Sequence, residues 1–226
     1  MELQDRVAVV TGAGVGTGRA IAQRLARGGA AVVVNDVADG AETLRAIRDA
    51  GGRAEFVAAD LTSHDGVKAV VDFAVDTFGR LDILVNNAGG IPYDTPGFPR
   101  VDPADWGAVL DLNLRAPLLA IQLALAAGVG VVVNIGSTAG LGDQPYHSPE
   151  YGAAKAGLMR ATACLGELPG VRVNCVAPDW VATDRALASL EPGAARPPVS
   201  LESLCDQVVA LIEDDSARGK VVELTS

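Results

Sequence analysis

Cysteine, histidine, aromatic rings and positive charge are all scarce in this chain of 226 residues. The three cysteines, Cys164, Cys175 and Cys205, form no CxxC pair, and neither His64 nor His147 stands near them at metal-ligand spacing. That pattern argues against a zinc site or a disulfide framework and predicts buried, reduced thiols of a cytoplasmic protein. Eighteen Lys and Arg face 28 Asp and Glu, a formal net charge of −10. A surface of that sign repels nucleic acid and anionic lipid headgroups, which leaves small molecules and other proteins as partners. With four Phe, three Tyr and two Trp, the core must be built from Ala, Val, Leu and Ile, a composition suited to helices packed on a parallel sheet. The opening residues, Met1-Glu2-Leu3-Gln4-Asp5, lack the basic segment of a signal peptide. Charge is missing altogether from residues 116–142, a stretch long enough to resemble a membrane span. Pro117, Gln122, Gly128, Gly130 and Asn134 interrupt it, so it predicts a buried helix over 118–127 and a buried strand over 129–135.

What the chain does have is alternation. Short apolar runs at 7–10, 31–35, 54–58, 83–85, 131–135, 171–176 and 221–224 read as strands. Helical patterns at 16–27, 38–50, 65–78, 103–126, 150–166 and 201–213 separate them. Seven strands and six helices in that order predict one α/β domain over 1–226, a doubly wound, Rossmann-type parallel sheet with helices on both faces. Residues 89–103 and 189–200 are proline-bearing loops that leave the fourth and sixth strands, where such sheets place their ligand crevice.

The first strand runs directly into Thr11-Gly12-Ala13-Gly14-Val15-Gly16-Thr17-Gly18 and then a helix. Glycines there allow a tight turn and close backbone approach, and the helix N-terminus offers N–H groups and partial positive charge to a pyrophosphate. Asp36 ends the second strand, where a carboxylate accepts hydrogen bonds from ribose hydroxyls and repels a 2′-phosphate. Neither sequence neighbour, Asn35 or Val37, is basic. NAD(H) is therefore the expected cofactor. The alternative for Asp36 is a helix N-cap.

Tyr151 and Lys155 stand four residues apart on a helical pattern and so share a face, in a chain with three lysines. A positive charge ~6 Å from a phenol, at an effective dielectric of ~20, favours the phenolate by roughly 2.8 kcal/mol, about two pK units. Such a pair can work as an acid–base couple at about pH 7 to 8; taken by itself the spacing equally fits an ordinary exposed i,i+4 pair. Ser137 ends the fifth strand, on the same edge of the sheet, where its hydroxyl reaches a substrate oxygen. Together with Asp60-Leu61, Asn86-Asn87-Ala88-Gly89, Asn113 and Val173-Asn174-Cys175-Val176-Ala177-Pro178, these residues make the chain resemble the short-chain dehydrogenase/reductase family. The likeness is to its single-domain branch of acyl-carrier-protein reductases and hydroxysteroid dehydrogenases, and it runs from about Arg6 to Leu224.

The resemblance implies a hydride transfer between nicotinamide and an alcohol or carbonyl substrate, without a metal. Under it Tyr151 is the general acid or base, Lys155 lowers the tyrosine pKa and binds the nicotinamide ribose, and Ser137 holds the substrate oxygen. Asn113 retains a water of a proton relay. Asp60 and Leu61 contact adenine, Asn87 with Ala88 and Gly89 supports the ribose side, and Thr183 binds the carboxamide. Gly12, Gly14, Val15, Gly16, Thr17, Gly18, Asp36, Pro178 and Val181 complete the cofactor set, and the relatives imply a homodimer or homotetramer. The chain departs from the pattern at Asp179, where relatives carry glycine, in the short 183–201 segment, in the compressed 126–130 connection and in ending at Ser226 without a glycine-rich tail. A non-catalytic NAD(H)-binding sensor or scaffold is the alternative function, with isomerase or dehydratase chemistry a third. Apolar segments at 91–98 and 180–190 suggest a compact hydrophobic or cyclic substrate.

Overall fold

A computed structural model describes residues 1–91, 97–142, 146–188 and 197–226. Seven parallel strands make one sheet in the order β3-β2-β1-β4-β5-β6-β7. They are β1 (Val7–Val10), β2 (Ala31–Asp36), β3 (Arg53–Ala58), β4 (Ile83–Asn86), β5 (Val131–Ile135), β6 (Arg172–Pro178) and β7 (Val221–Leu224). From β1 the chain winds outward to β3, then returns and winds the other way from β4 to β7. The crevice at the β1–β4 junction is therefore the switch point, where ligands of such folds bind.

Helices cover both faces because the strands are apolar on both. Along β1, Ala8 and Val10 join a core with Ile21 and Leu25 of α1 (Gly16–Arg27), Ile47 of α2 (Ala41–Asp49) and Leu204, Val208 and Ile212 of α8 (Leu201–Glu213). Val7 and Val9 point the opposite way, onto Val67, Val70 and Ala74 of α3 (His64–Phe78) and Ala120, Ile121 and Ala124 of α5 (Ala116–Ala126). The period of two along the strand is what assigns each residue to its layer.

Local chemistry sets the helix ends. Ser63 caps α3 by accepting from Gly66 N–H at 3.0 Å, and Gly79 closes it at φ 78°. Asp102 caps α4 (Pro103–Leu110) ahead of a proline at its first position. The helix expected from residue 38 begins instead at Ala41, whose N–H is accepted by Asp39 Oδ1 at 2.9 Å, while Asp36 Oδ1 accepts from the N–H groups of Val37 and Ala38 in the preceding turn. Gly40, not Asp36, occupies the N-cap position, which overturns the capping alternative for Asp36.

The uncharged stretch behaves as the sequence implies: α5 ends at Ala126, and β5 follows after Gly128 at φ 85°. The whole helical run Pro103–Ala126 has the length and apolarity to cross a membrane. One side of it nevertheless packs on the sheet, and an Arg115–Asp111 ion pair sits at its middle. The thiols are free, and Cys175 and Cys205 are buried, but Cys164 lies exposed on α6 (Pro149–Leu165), against the expectation that all three would be buried. A helix absent from the sequence reading, α7 (Asp184–Ala188), follows β6.

Candidate active site

The glycine turn is locked from below. Thr11 Oγ1 accepts from the N–H groups of Asn87 and Ala88, and Asn87 Nδ2 donates to Thr11 O at 2.8 Å and Gly12 O at 3.1 Å. These bonds join the ends of β1 and β4 across the switch point. A Cβ on Gly12 would meet Ala88 Cα at 2.9 Å, and one on Gly18 would meet Gly12 O at 2.1 Å, so side chains are excluded there by the turn's own packing. Asn87, Ala88 and Gly89 thus hold the turn in shape. Val15, the N-cap residue of α1, makes no side-chain cap, and the first turn carries no acidic residue. The leading N–H groups of α1 thus have no capping side chain, the arrangement that can receive a diphosphate.

Asp36 stands beside that turn. Its Oδ2 accepts from Gly14 N–H at 2.9 Å. Arg19, which the sequence reading missed, lies behind the same glycine. Its guanidinium donates to Gly14 O and Thr43 Oγ1 and pairs with Glu42 at 2.9 Å. Its place after Gly18 gave no signal, since only the fold brings α2 against α1. Asp60 is exposed, and the Thr62 N–H and hydroxyl that bond its carboxylate hold it below the usual carboxylate pKa. Leu61 is buried in the core under α3.

The chemical residues converge at the ends of β4, β5 and β6. Lys155 and Tyr151 both lie on α6, with the lysine Nζ 5.6 Å from the centroid of the tyrosine ring. Lys155 is 3% exposed, and Nζ donates to Ile135 O at 2.8 Å. Burial pushes its pKa down to about 8. Ser137 follows β5, and its Oγ accepts from Ala139 N–H at 3.1 Å, which opens a short 3-10 turn over Thr138–Gly140. The hydroxyl proton is left to donate elsewhere.

Asn113 sits in a π-helical turn, Asp111–Arg115, between α4 and α5. Its side chain accepts from Gly90 N–H and donates to Gly90 O and Val109 O, all at 2.9 Å. A Cβ on Gly89 would meet Asn113 Oδ1 at 2.6 Å and Lys155 Nζ at 3.3 Å, which places Gly89, Asn113 and Lys155 side by side. The side chain of Asn113 is engaged by this backbone; widened turns of this kind recur at functional sites.

Above the site, Tyr146 packs on Tyr151 at 5.8 Å between ring centroids and on His147 at 4.5 Å. Trp180, Leu187 and Phe98 are exposed. Thr183 lies over the glycine turn, its Cγ2 3.5 Å from where a Cβ on Gly16 would be, and Val181 pairs with Val199. Pro178 is buried at the end of β6, and Thr138 Oγ1 donates to Asp179 Oδ1 at 3.3 Å. Parts of the two proline-bearing loops, 92–96 and 189–196, lie outside the described residues.

Comparison with known proteins gives a consistent result. The short chain dehydrogenase family profile matches residues 6–191. The cis-4-hydroxycyclohexanecarboxylate dehydrogenase of Sinomonas cyclohexanicum is 42% identical over 230 residues, spanning 94% of this chain and 91% of that protein. The (+)-borneol dehydrogenase 2 of Salvia officinalis is 37% identical over 235 residues, 100% of this chain and 80% of its own. Among solved structures, a point variant of the actinorhodin polyketide ketoreductase with NADPH superposes with a TM-score of 0.88 at 28% identity, covering 98% of this chain and 96% of that one.

Proposed function

This chain belongs to the short-chain dehydrogenase family, and we propose that within it the protein is an NAD(H)-preferring oxidoreductase acting on an alicyclic secondary alcohol or its ketone. The observation that carries the reading is the buried Lys155 ammonium, poised 5.6 Å from the Tyr151 ring. A cation kept out of water beside a phenol, against its own desolvation, has a use in acid–base chemistry.

The turn fits a dinucleotide: α1 has uncapped N–H groups with no competing acid in its first turn, and Asp36, bonded to Gly14 N–H, is the carboxylate that would meet the ribose hydroxyls. Arg19 is already paired with Glu42 and Gly14 O, which leaves a 2′-phosphate facing Asp36 without that cation. These two features favour NAD(H). Bound nicotinamide supplies or accepts the hydride. The rest falls to side chains. Ser137 Oγ–H donates to the substrate oxygen, Tyr151 gives or takes the proton at that oxygen, and Lys155 stabilises the phenolate. Asn113 acts through Gly90, holding the 89–90 backbone against Lys155.

The substrate class rests on two supports. Two relatives are named for ring alcohols, and Tyr146, Trp180 and Leu187 offer apolar surface about the crevice. Half-buried leucines on α5 together with exposed Trp106 on α4 support a homodimer or homotetramer, which sedimentation at micromolar concentration tests. Free thiols support a cytoplasmic, reducing setting. The direct test of the function is a screen of cyclohexanols and bicyclic alcohols with NAD+ and NADP+. Turnover with NAD+ that Tyr151→Phe abolishes supports the reading, and turnover that persists in the variant overturns it.

A further inference from the structure

We propose that Asp179 makes the site discriminate between the two oxidation states of the cofactor, holding the cationic, oxidised nicotinamide more tightly than the neutral, reduced ring. The inference rests on the nicotinamide reading above and goes beyond it to a residue where this chain departs from the family pattern. Asp179 directly follows β6, on the same edge of the sheet as Ser137. Its N–H donates to Leu224 O at 2.9 Å, and its Oδ1 accepts from Thr138 Oγ1 at 3.3 Å. Backbone and side chain are thereby both fixed, with the carboxylate beside the residue that follows Ser137. Asp179 is half-buried, and among the described residues no Lys, Arg or His makes an ion pair with it.

Hydride transfer requires contact. The ring must lie against the carbon whose oxygen Ser137 and Tyr151 hold, so the positive charge that the ring gains on oxidation appears in the neighbourhood of Ser137 and Asp179. Thr183, whose methyl group lies 3.5 Å from the Cβ position of Gly16, carries the same post-β6 segment back over the glycine turn. Residues 179–183 therefore follow the crevice from the reacting end to the diphosphate end. A carboxylate there attracts the oxidised ring and has little to attract in the reduced one. For unit charges in a partly solvated crevice at an effective dielectric of about 20 to 40, the difference is on the order of tenfold in dissociation constant.

Isothermal titration of the wild-type protein, Asp179→Asn and Asp179→Gly with NAD+ and with NADH separately decides the matter. The expected result is an NAD+ dissociation constant raised about tenfold in both variants, with that for NADH changed by less than about twofold. Parallel weakening for both cofactors, as a merely structural role would give, overturns the inference. So does an unchanged pair of constants, and in either case wild-type binding leaves the nicotinamide reading standing. A wild-type protein that binds neither cofactor overturns that reading and this inference together.

Discussion

The two ends of the crevice are built on opposite principles. At the glycine turn the polar side chains are committed to the protein's own groups. Asp36 accepts from the N–H groups of Gly14, Val37 and Ala38, Asn87 donates to two carbonyls of the turn, and Arg19 is held by Gly14 O, Thr43 and Glu42. At the chemical end a buried ammonium has a single carbonyl partner at 2.8 Å among the described residues, and a carboxylate has a hydroxyl instead of a cation. The first region is pre-organised and stabilises the fold. The second carries charges whose natural partners are ligands, and it costs the fold stability.

If that contrast is right, the largest effect comes from removing the hydroxyl of Tyr151, the proposed proton carrier. Tyr151→Phe is expected to lower kcat by about three orders of magnitude while the dissociation constants of both cofactors stay within about threefold. Stopped-flow kinetics and titration on one preparation check both halves. Next comes Lys155→Met, which should abolish activity and yet stabilise the protein at pH 7. The lysine pKa is pushed down to about 8 in the folded state from 10.5. The unfolded chain thus binds more protons between about pH 8 and 10.5, and wild-type stability rises with pH through that window. Below it the burial cost is present in full. The variant should gain about 2–3 kcal/mol in urea denaturation at pH 7, less whatever the lost bond to Ile135 O contributes, and most of the gain should vanish by about pH 10. An unstable variant at both pH values would mean that Lys155 is an ordinary structural residue.

The same contrast decides what could be read from the sequence. Strands β1, β5 and β7 and helices α1 and α8 have the bounds that their residue patterns imply, because burial on one or both faces writes itself directly into local periodicity. The glycine turn and the Tyr151–Lys155 spacing were legible for a similar reason, being short-range. Three features were not. The late start of α2 goes with local side-chain bonds, from the N–H groups of Val37 and Ala38 to Asp36 and from that of Ala41 to Asp39, which the residue pattern does not reveal. The π-helical turn depends on Asn113 reaching Gly90, 23 residues away. Arg19 joins the cofactor end only because α2 packs on α1 and brings Thr43 and Glu42 to it. The last two rest on long-range bonds made by side chains with no distinctive neighbour in sequence.

Two smaller effects sharpen the account of the pre-organised end. Asn87→Ala removes both bonds to the carbonyls of Thr11 and Gly12 and should cost about 2 kcal/mol of stability, with NAD+ and NADH binding weakened alike. Unequal weakening would show that Asn87 contacts the nicotinamide end directly.

Asp36→Asn should have the smallest effect and the most specific one. The amide keeps one acceptor oxygen for the N–H groups of Val37 and Ala38, its NH2 group gives up the bond from Gly14 N–H, and the negative charge proposed to repel a 2′-phosphate is gone. The ratio of NADPH to NADH dissociation constants should fall about tenfold, at a stability cost of about 1 kcal/mol for the lost Gly14 bond. Asp36→Ala is the contrasting variant. It leaves the N–H groups of Gly14, Val37 and Ala38 without their acceptor, so it should loosen the turn and weaken both cofactors. If Asp36→Asn leaves the ratio unchanged while Asp36→Ala weakens both cofactors equally, then Asp36 is a staple of the turn and nothing more. Cofactor preference would then have to come from elsewhere at the β2 edge, and the division between a self-satisfied cofactor end and a ligand-dependent chemical end would be more complete than proposed.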